Sequence, residues 1–211
     1  SPMRGKFYHR YGYGNLRDYP LADDKYAIEQ LADRYSFIDI TKVGIFGHSG
    51  GGFMSTAALC TYPDFYTAAV SSSGNHDNNI YNNGWVEIHH GVKETKEMVK
   101  DSVNGDHEVS KFSVKVPTNM ELAKNLKGHL LLVTGDMDKN VHPAHTLRMV
   151  DALIKAGKNF DMLVLPGKTH GYGSADGFFE RRLWFHFAKY LLGDTTADHY
   201  GNIEEYKGIE N

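Results

Sequence analysis

A single cysteine, Cys60, stands among 211 residues. One thiol excludes an internal disulfide, and its place in an Ala-rich apolar stretch reads as a small buried side chain. Long hydrophobic runs are missing too: none approaches the roughly 18 residues that a membrane-spanning helix needs. Neither sign of charge dominates. A formal net charge of -3 and a pI near 6.4 give no reason to invoke nucleic acid or an anionic membrane as partner. The opening Ser1-Pro2-Met3-Arg4-Gly5 lacks the apolar core of a secretory leader, so none is expected in this chain. Internal repeats and low-complexity tracts are also missing. The histidines that could suggest a metal, His76 and the pair His89-His90, have no carboxylate or cysteine at ligand spacing. Neither a metal nor an organic cofactor is therefore expected. Ordinary proportions of hydrophobic (41%) and charged (23%) residues leave one good-sized globular domain over residues 1–211, its last stretch, 193–211, a polar tail.

What is present is concentrated around Gly44-Ile45-Phe46-Gly47-His48-Ser49-Gly50-Gly51-Gly52. An apolar stretch, Lys42 to Phe46, runs into Gly-x-Ser-x-Gly, and an Ala-rich helical stretch, Phe53 to Thr61, follows. Strand, tight turn and helix in that order form a nucleophile elbow, whose flanking positions are expected to be glycine because a Cβ there would clash or strain the backbone. The turn lifts the Ser49 hydroxyl to the end of a sheet. The first amides of the following helix, Gly50 foremost, are then free to stabilise an oxyanion.

Along the rest of the chain, Ser1 to Tyr19 reads as loop, and Pro20 to Asp24 opens a helix with Ala27, Ile28, Leu31 and Ala32 on one face. Phe65 to Val70 reads as a second strand. Asn75 to Gly91 is polar and aromatic, a candidate pocket wall. Lys93 to Lys111 reads as charged and weakly helical, within a solvated insertion, Lys93 to Val116, that has no functional assignment. A short helix is expected over Met120 to Leu126, capped by Thr118 or Asn119. Alternation then resumes: strand His129 to Thr134, helix Pro143 to Ala156, strand Phe160 to Leu165, helix Asp176 to Leu192. This pattern predicts a mostly parallel sheet with helices on both faces.

A serine hydroxyl needs a base, and the base needs an acid to hold its tautomer. In open parallel sheets such groups lie on loops after the carboxyl ends of strands. After the strand His129 to Thr134 comes Gly135-Asp136-Met137-Asp138-Lys139-Asn140-Val141-His142. After Phe160 to Leu165 comes Pro166-Gly167-Lys168-Thr169-His170-Gly171-Tyr172-Gly173. Ser, Asp and His in that chain order is the order of the α/β-hydrolase fold. Asp136 and Asp138 compete for the acid, the other serving as a loop cap. His170, between glycine-rich turns, suits the base better than His142 or His145, which precede or begin a helix.

Gly-His-Ser-Gly-Gly-Gly, Gly135 to His142 and Thr169-His170-Gly171 together resemble the catalytic domain of the prolyl oligopeptidase family, most nearly its dipeptidyl peptidase IV branch. The resemblance runs from Arg4-Gly5 to about Leu192. It implies an α/β-hydrolase domain of a serine peptidase, with Ser49 as nucleophile, His170 as base and Asp138 as the acid. It places Asn140 and Val141 beside the specificity pocket, and implies short peptide substrates cleaved after Pro or Ala near the N-terminus. An extracytoplasmic location is implied as well. Where that branch carries an aromatic residue directly after the nucleophile, this chain has Gly50; Tyr81 and Trp85 are the candidates to fill the pocket instead. The family's N-terminal β-propeller, several sheet strands and second oxyanion donor have no counterpart here, so the chain is expected to be the C-terminal piece of a larger enzyme. A sheet lacking a neighbour leaves an open edge, so self-association to a homo-oligomer is expected. The triad does not itself separate peptide from ester hydrolysis, which keeps an acyl esterase as the alternative within this fold. A non-catalytic piece with an incomplete oxyanion hole is the alternative outside enzymes.

Overall fold

The computed structural model describes residues 3–114 and 116–196. The N-terminal stretch read as loop contains one helical turn, α1 (Lys6–His9), with no buried residue. Helix α2 (Leu21–Arg34) follows Pro20, with Asp23 and Asp24 in its first turn where they complement the helix dipole. Strand β1 (Val43–His48) leads through Ser49 into α3 (Gly50–Thr61), and strand β2 (Tyr66–Ser72) returns beside it. A 3₁₀ turn (Asn78–Ile80) and helix α4 (Asn83–His90) come next. Two strands, β3 (Lys93–Val99) and β4 (His107–Ser113), form a hairpin. A 3₁₀ helix (Asn119–Asn125), strand β5 (His129–Gly135), helix α5 (Ala144–Lys155) and strand β6 (Asp161–Leu165) complete the alternation. Another 3₁₀ turn (Gly173–Ala175) leads to α6 (Asp176–Phe187), which ends in a π turn (Ala188–Leu192).

The main sheet has the order β1-β2-β5-β6, every pair parallel. Its middle strands are continuously buried: Ala68 to Ser73 and Leu130 to Val133 are all at most 2% exposed. That is the mark of strands covered on both faces. Alternate residues divide between two cores. Ala69, Leu130 and Leu132 join Leu59, Met149 and Leu153, beneath α2, α3 and α5. Val70, Leu131 and Val133 face the other way, with Leu165, Tyr172, Phe179 and Phe187, beneath α6. Helices therefore cover both faces, and the loops that follow β1, β2, β5 and β6 emerge from one end of the sheet.

Within the segment Asn75 to Gly91, read as polar and aromatic, Asn82 accepts a hydrogen bond from Trp85 N at 3.1 Å and caps α4. The segment Lys93 to Lys111 is a β-hairpin, not a helix. Asp101 accepts from the amides of Val103 and Asn104 at its tip, Gly105 takes φ +81, and the cross-strand ion pairs Lys96–Glu108 and Lys111–Glu97 join its sides. The short helix expected over Met120 to Leu126 is the 3₁₀ helix Asn119–Asn125, and Thr118 makes no side-chain cap bond to it. The C-terminal tail lies outside the described residues beyond Thr196.

Candidate active site

The elbow is strained where chemistry would need it. Ser49 has φ 59 and ψ -121, a left-handed backbone that non-glycine residues rarely take. Its amide is held by Ser72 O at 2.8 Å. A Cβ on Gly47 would lie 2.4 Å from Gly51 C, and one on Gly52 would lie 2.7 Å from Ser72 O. These two glycines let strand, turn and neighbouring strand approach. Gly50 and Gly51 differ from the expectation, since a Cβ on either meets nothing within 4 Å. The Gly50 amide is the first of α3 and has no preceding helical carbonyl to serve.

On the loop after β5, Asp138 is 2% exposed. Its Oδ1 accepts from the amides of Asn140 and Val141, both at 2.9 Å. Its Oδ2 accepts from His170 Nδ1 at 2.7 Å. With the proton on Nδ1, the lone pair is left on Nε2. Asp136 has a different partner: its Oδ1 accepts from Gly167 N at 2.6 Å and joins the loops after β5 and β6. His142 Nδ1 accepts from Ala144 N at the start of α5, and His145 is buried, receiving Asp77 N at 3.4 Å. Burial pushes His145 down to about 4. Cys60, fully buried, is pushed up to about 12 by desolvation and is no competing nucleophile. Among the described residues no hydrogen bond joins Ser49 Oγ to His170.

Of the pocket candidates, Tyr81 OH donates to Asn140 Oδ1 at 2.8 Å, and Tyr81 meets Trp85 edge to face at 5.3 Å. Trp85 in turn stacks on His89 at 4.4 Å. Tyr81 and Asn140 thus meet beside the Asp138 loop. The Val141 side chain is 2% exposed and packs inward. Among the described residues no group of three or more His, Cys, Asp or Glu side chains could hold a metal ion, and no helix is long and apolar enough to cross a membrane.

The structure also assembles residues whose part in a buried network no sequence pattern indicated. His76 is fully buried behind the elbow and pushed down to about 3, first by desolvation and then by His145. Asn119 Nδ2 donates to His76 Nδ1 at 2.9 Å and to Phe53 O at 2.8 Å, while Ser71 Oγ donates to Gly52 O at 2.8 Å. The first turn of α3 is braced by this network. On the other side, Ser73 and Tyr172 both take positive φ (44 and 39), and Ser73 Oγ meets Tyr172 OH at 3.0 Å. Isolated Asn, Ser and His residues on loops carry no period. The one signal in the sequence is the density of polar residues in Ser71 to Asn79, directly after the apolar stretch Phe65 to Val70.

The family model for the prolyl oligopeptidase family matches residues 1–195. Dipeptidyl peptidase 8 of Homo sapiens is 30% identical over 179 residues, 84% of this chain and 19% of that protein. Dipeptidyl peptidase 4 of Trichophyton rubrum is 30% identical over 156 residues, 73% of this chain and 18% of that one. Among solved structures, dipeptidyl peptidase 4 of Porphyromonas gingivalis superposes with a TM-score of 0.70 at 25% identity, covering 90% of this chain and 25% of that chain. A Bacteroides ovatus protein described as a dipeptidyl aminopeptidase IV gives a TM-score of 0.75 at 23% identity, over 89% of this chain and 25% of its own. The chain thus spans a fifth to a quarter of the length of these proteins, and its fold is their α/β-hydrolase domain. On sequence and fold together, it belongs to the prolyl oligopeptidase family.

Proposed function

We propose that the protein carrying this chain is a serine peptidase that hydrolyses short peptides through an acyl-enzyme. The observation that carries this is the Asp138–His170 bond of 2.7 Å, presented at the same sheet end as a strained Ser49. In this reading Ser49 Oγ attacks the scissile carbonyl, and His170 Nε2 takes its proton and later gives it to the leaving amine. Asp138 holds the ring and stabilises the imidazolium, and the Gly50 amide receives the developing oxyanion. Substrate binding closes the Ser49–His170 contact, as catalytic hydrogen bonds often tighten in the Michaelis complex. Cleavage near the substrate's N-terminus, after Pro or Ala, is part of this reading, and the similarity to proteins named dipeptidyl peptidases supports it. The open space at Gly50 favours a wider pocket than one closed by an aromatic residue there, with Tyr81 and Asn140 forming its near wall. The remainder of the longer protein, a β-propeller in this reading, supplies the second oxyanion donor and the grip on the substrate's N-terminus.

The test is labelling of the full-length protein with a fluorophosphonate probe, wild type beside Ser49→Ala, followed by turnover of a Gly-Pro or Ala-Pro chromogenic peptide. Labelling and turnover that both vanish in Ser49→Ala support the assignment. Peptidase activity that survives the substitution refutes it. A folded wild type that never labels points to a scaffold, and labelling with turnover of short acyl esters alone points to an esterase.

A further inference from the structure

His48, the residue directly before the nucleophile, is not used by the reaction as described. Yet its ring lies 4.6 Å from that of His170, tilted 54° to it. It also meets the edge of Tyr172 at 5.5 Å and 89°. Its Nδ1 is hydrogen-bonded to Ser72 Oγ at 2.8 Å, which fixes its rotation against β2. Tyr172, two residues past His170, is itself pinned by Ser73. The ring of His48 is therefore wedged between the end of β2 and the loop that carries the base.

The consequence concerns the soft direction of the site. Asp138 holds His170 through Nδ1 alone, and one hydrogen bond leaves an imidazole free to swing about the axis through that contact. A ring packed on one face of His170 blocks that swing. A wall made from the nucleophile's own strand also fixes His170 relative to Ser49, the distance on which proton transfer depends. The charged and titratable groups around His48 are His170, Asp138, Asp176 and Tyr172. Its pKa is lowered, first by desolvation and then by His170, so at neutral pH the wall is an uncharged ring that does not repel the imidazolium.

We propose that His48 is a positioning residue, which acts through ring contact to hold His170 in line with Ser49. The inference rests on the peptidase reading above, and the experiment separates the two. His48→Ala, His48→Phe and His48→Asn are made in the full-length protein, and kcat and KM are measured on the Ala-Pro chromogenic peptide. His48→Ala is expected to lower kcat on the order of 10²-fold, as for a reacting group displaced by about 1 Å, with KM little changed. His48→Phe, which restores a ring, recovers most of that loss, and His48→Asn, which can keep a polar link to Ser72 but has no ring, does not. Unchanged kcat in His48→Ala overturns the proposal, and so does recovery by Asn but not by Phe. Crystals of His48→Ala supply the readout that needs no activity. A His170 ring rotated away from Asp138 or from Ser49 supports the role; a ring unmoved refutes it. Wild type without Ser49-dependent turnover counts against the peptidase reading alone, and the ring position then decides for His48.

Discussion

Gly47 and Gly50 lie in the same motif but do opposite things. A methyl group on Gly47 would drive into the Gly51 backbone at 2.4 Å, whereas on Gly50 it would point into open space. Gly47→Ala is therefore expected to destabilise by about 1–3 kcal/mol, the cost of overpacking a site that cannot yield. Gly50→Ala should be neutral or stabilising by up to about 1 kcal/mol, through reduced backbone freedom in the unfolded chain. Urea denaturation of both variants checks this; equal effects would contradict it. At this scale the candidate base, His170, was legible, because it follows an apolar strand in the chain order of the α/β-hydrolase fold, whereas Asp136 and Asp138 both follow β5 and only the family resemblance pointed to Asp138. His48, His76 and Asn119 were not legible. A lone histidine before a serine, or a lone asparagine on a loop, has the same local sequence whether it braces a site or faces water.

Among the elements, the βα alternation was readable because each buried strand is a short apolar run and each helix repeats with its own period. The hairpin β3–β4 was not. Every residue of β3 is exposed, so no face is apolar and no period of two survives in Lys93 to Val99. The usable signal was Asn104-Gly105, a hairpin turn dipeptide between two runs that each contain Val, with Thr in the first and Phe in the second. Strand β1 has the opposite difficulty. It pairs only with β2, so its outer ladder is open among the described residues. Beside it Phe46 (66% exposed), Trp184 (70%) and Leu192 (75%) present an apolar surface. An unpaired edge flanked by apolar side chains recruits another strand. The 211-residue chain on its own is expected to self-associate through this edge, and a monomeric mass by light scattering at high concentration would count against it.

For the whole molecule, the histidines decide how stability depends on pH. His48, His76, His90, His129, His145 and His186 all have lowered pKa values, each chiefly from desolvation. For His76 and His145 the folded values are about 3 and about 4, against an ordinary 6.5. Between these limits the unfolded chain binds protons that the folded chain refuses, so stability rises with pH there. The contribution is fully present above pH 6.5 and is lost progressively as pH falls towards 4. Urea midpoints measured across that window should decline steadily on acidification; a flat profile would rule the assignment out. Fold class was legible at this scale. The cost of burying so many imidazoles was not, because burial belongs to the packed chain and to no segment of it.

One arrangement described above divides the site mechanically. The loops after β5 and β6 are cross-braced by Met137 N to Lys168 O, Gly167 N to Asp136 Oδ1, and His170 to Asp138. Gly135 sits so close beneath them that a Cβ would lie 2.4 Å from Lys168 O. The loops that carry Asp138 and His170, the proposed acid and base, therefore form a single block. The elbow, braced by Asn119 and Ser71, is a second block. The two blocks meet where the ring of His48 lies 4.6 Å from that of His170, and that seam is the one most exposed to tuning by a bound peptide, by a neighbouring domain or by a single substitution.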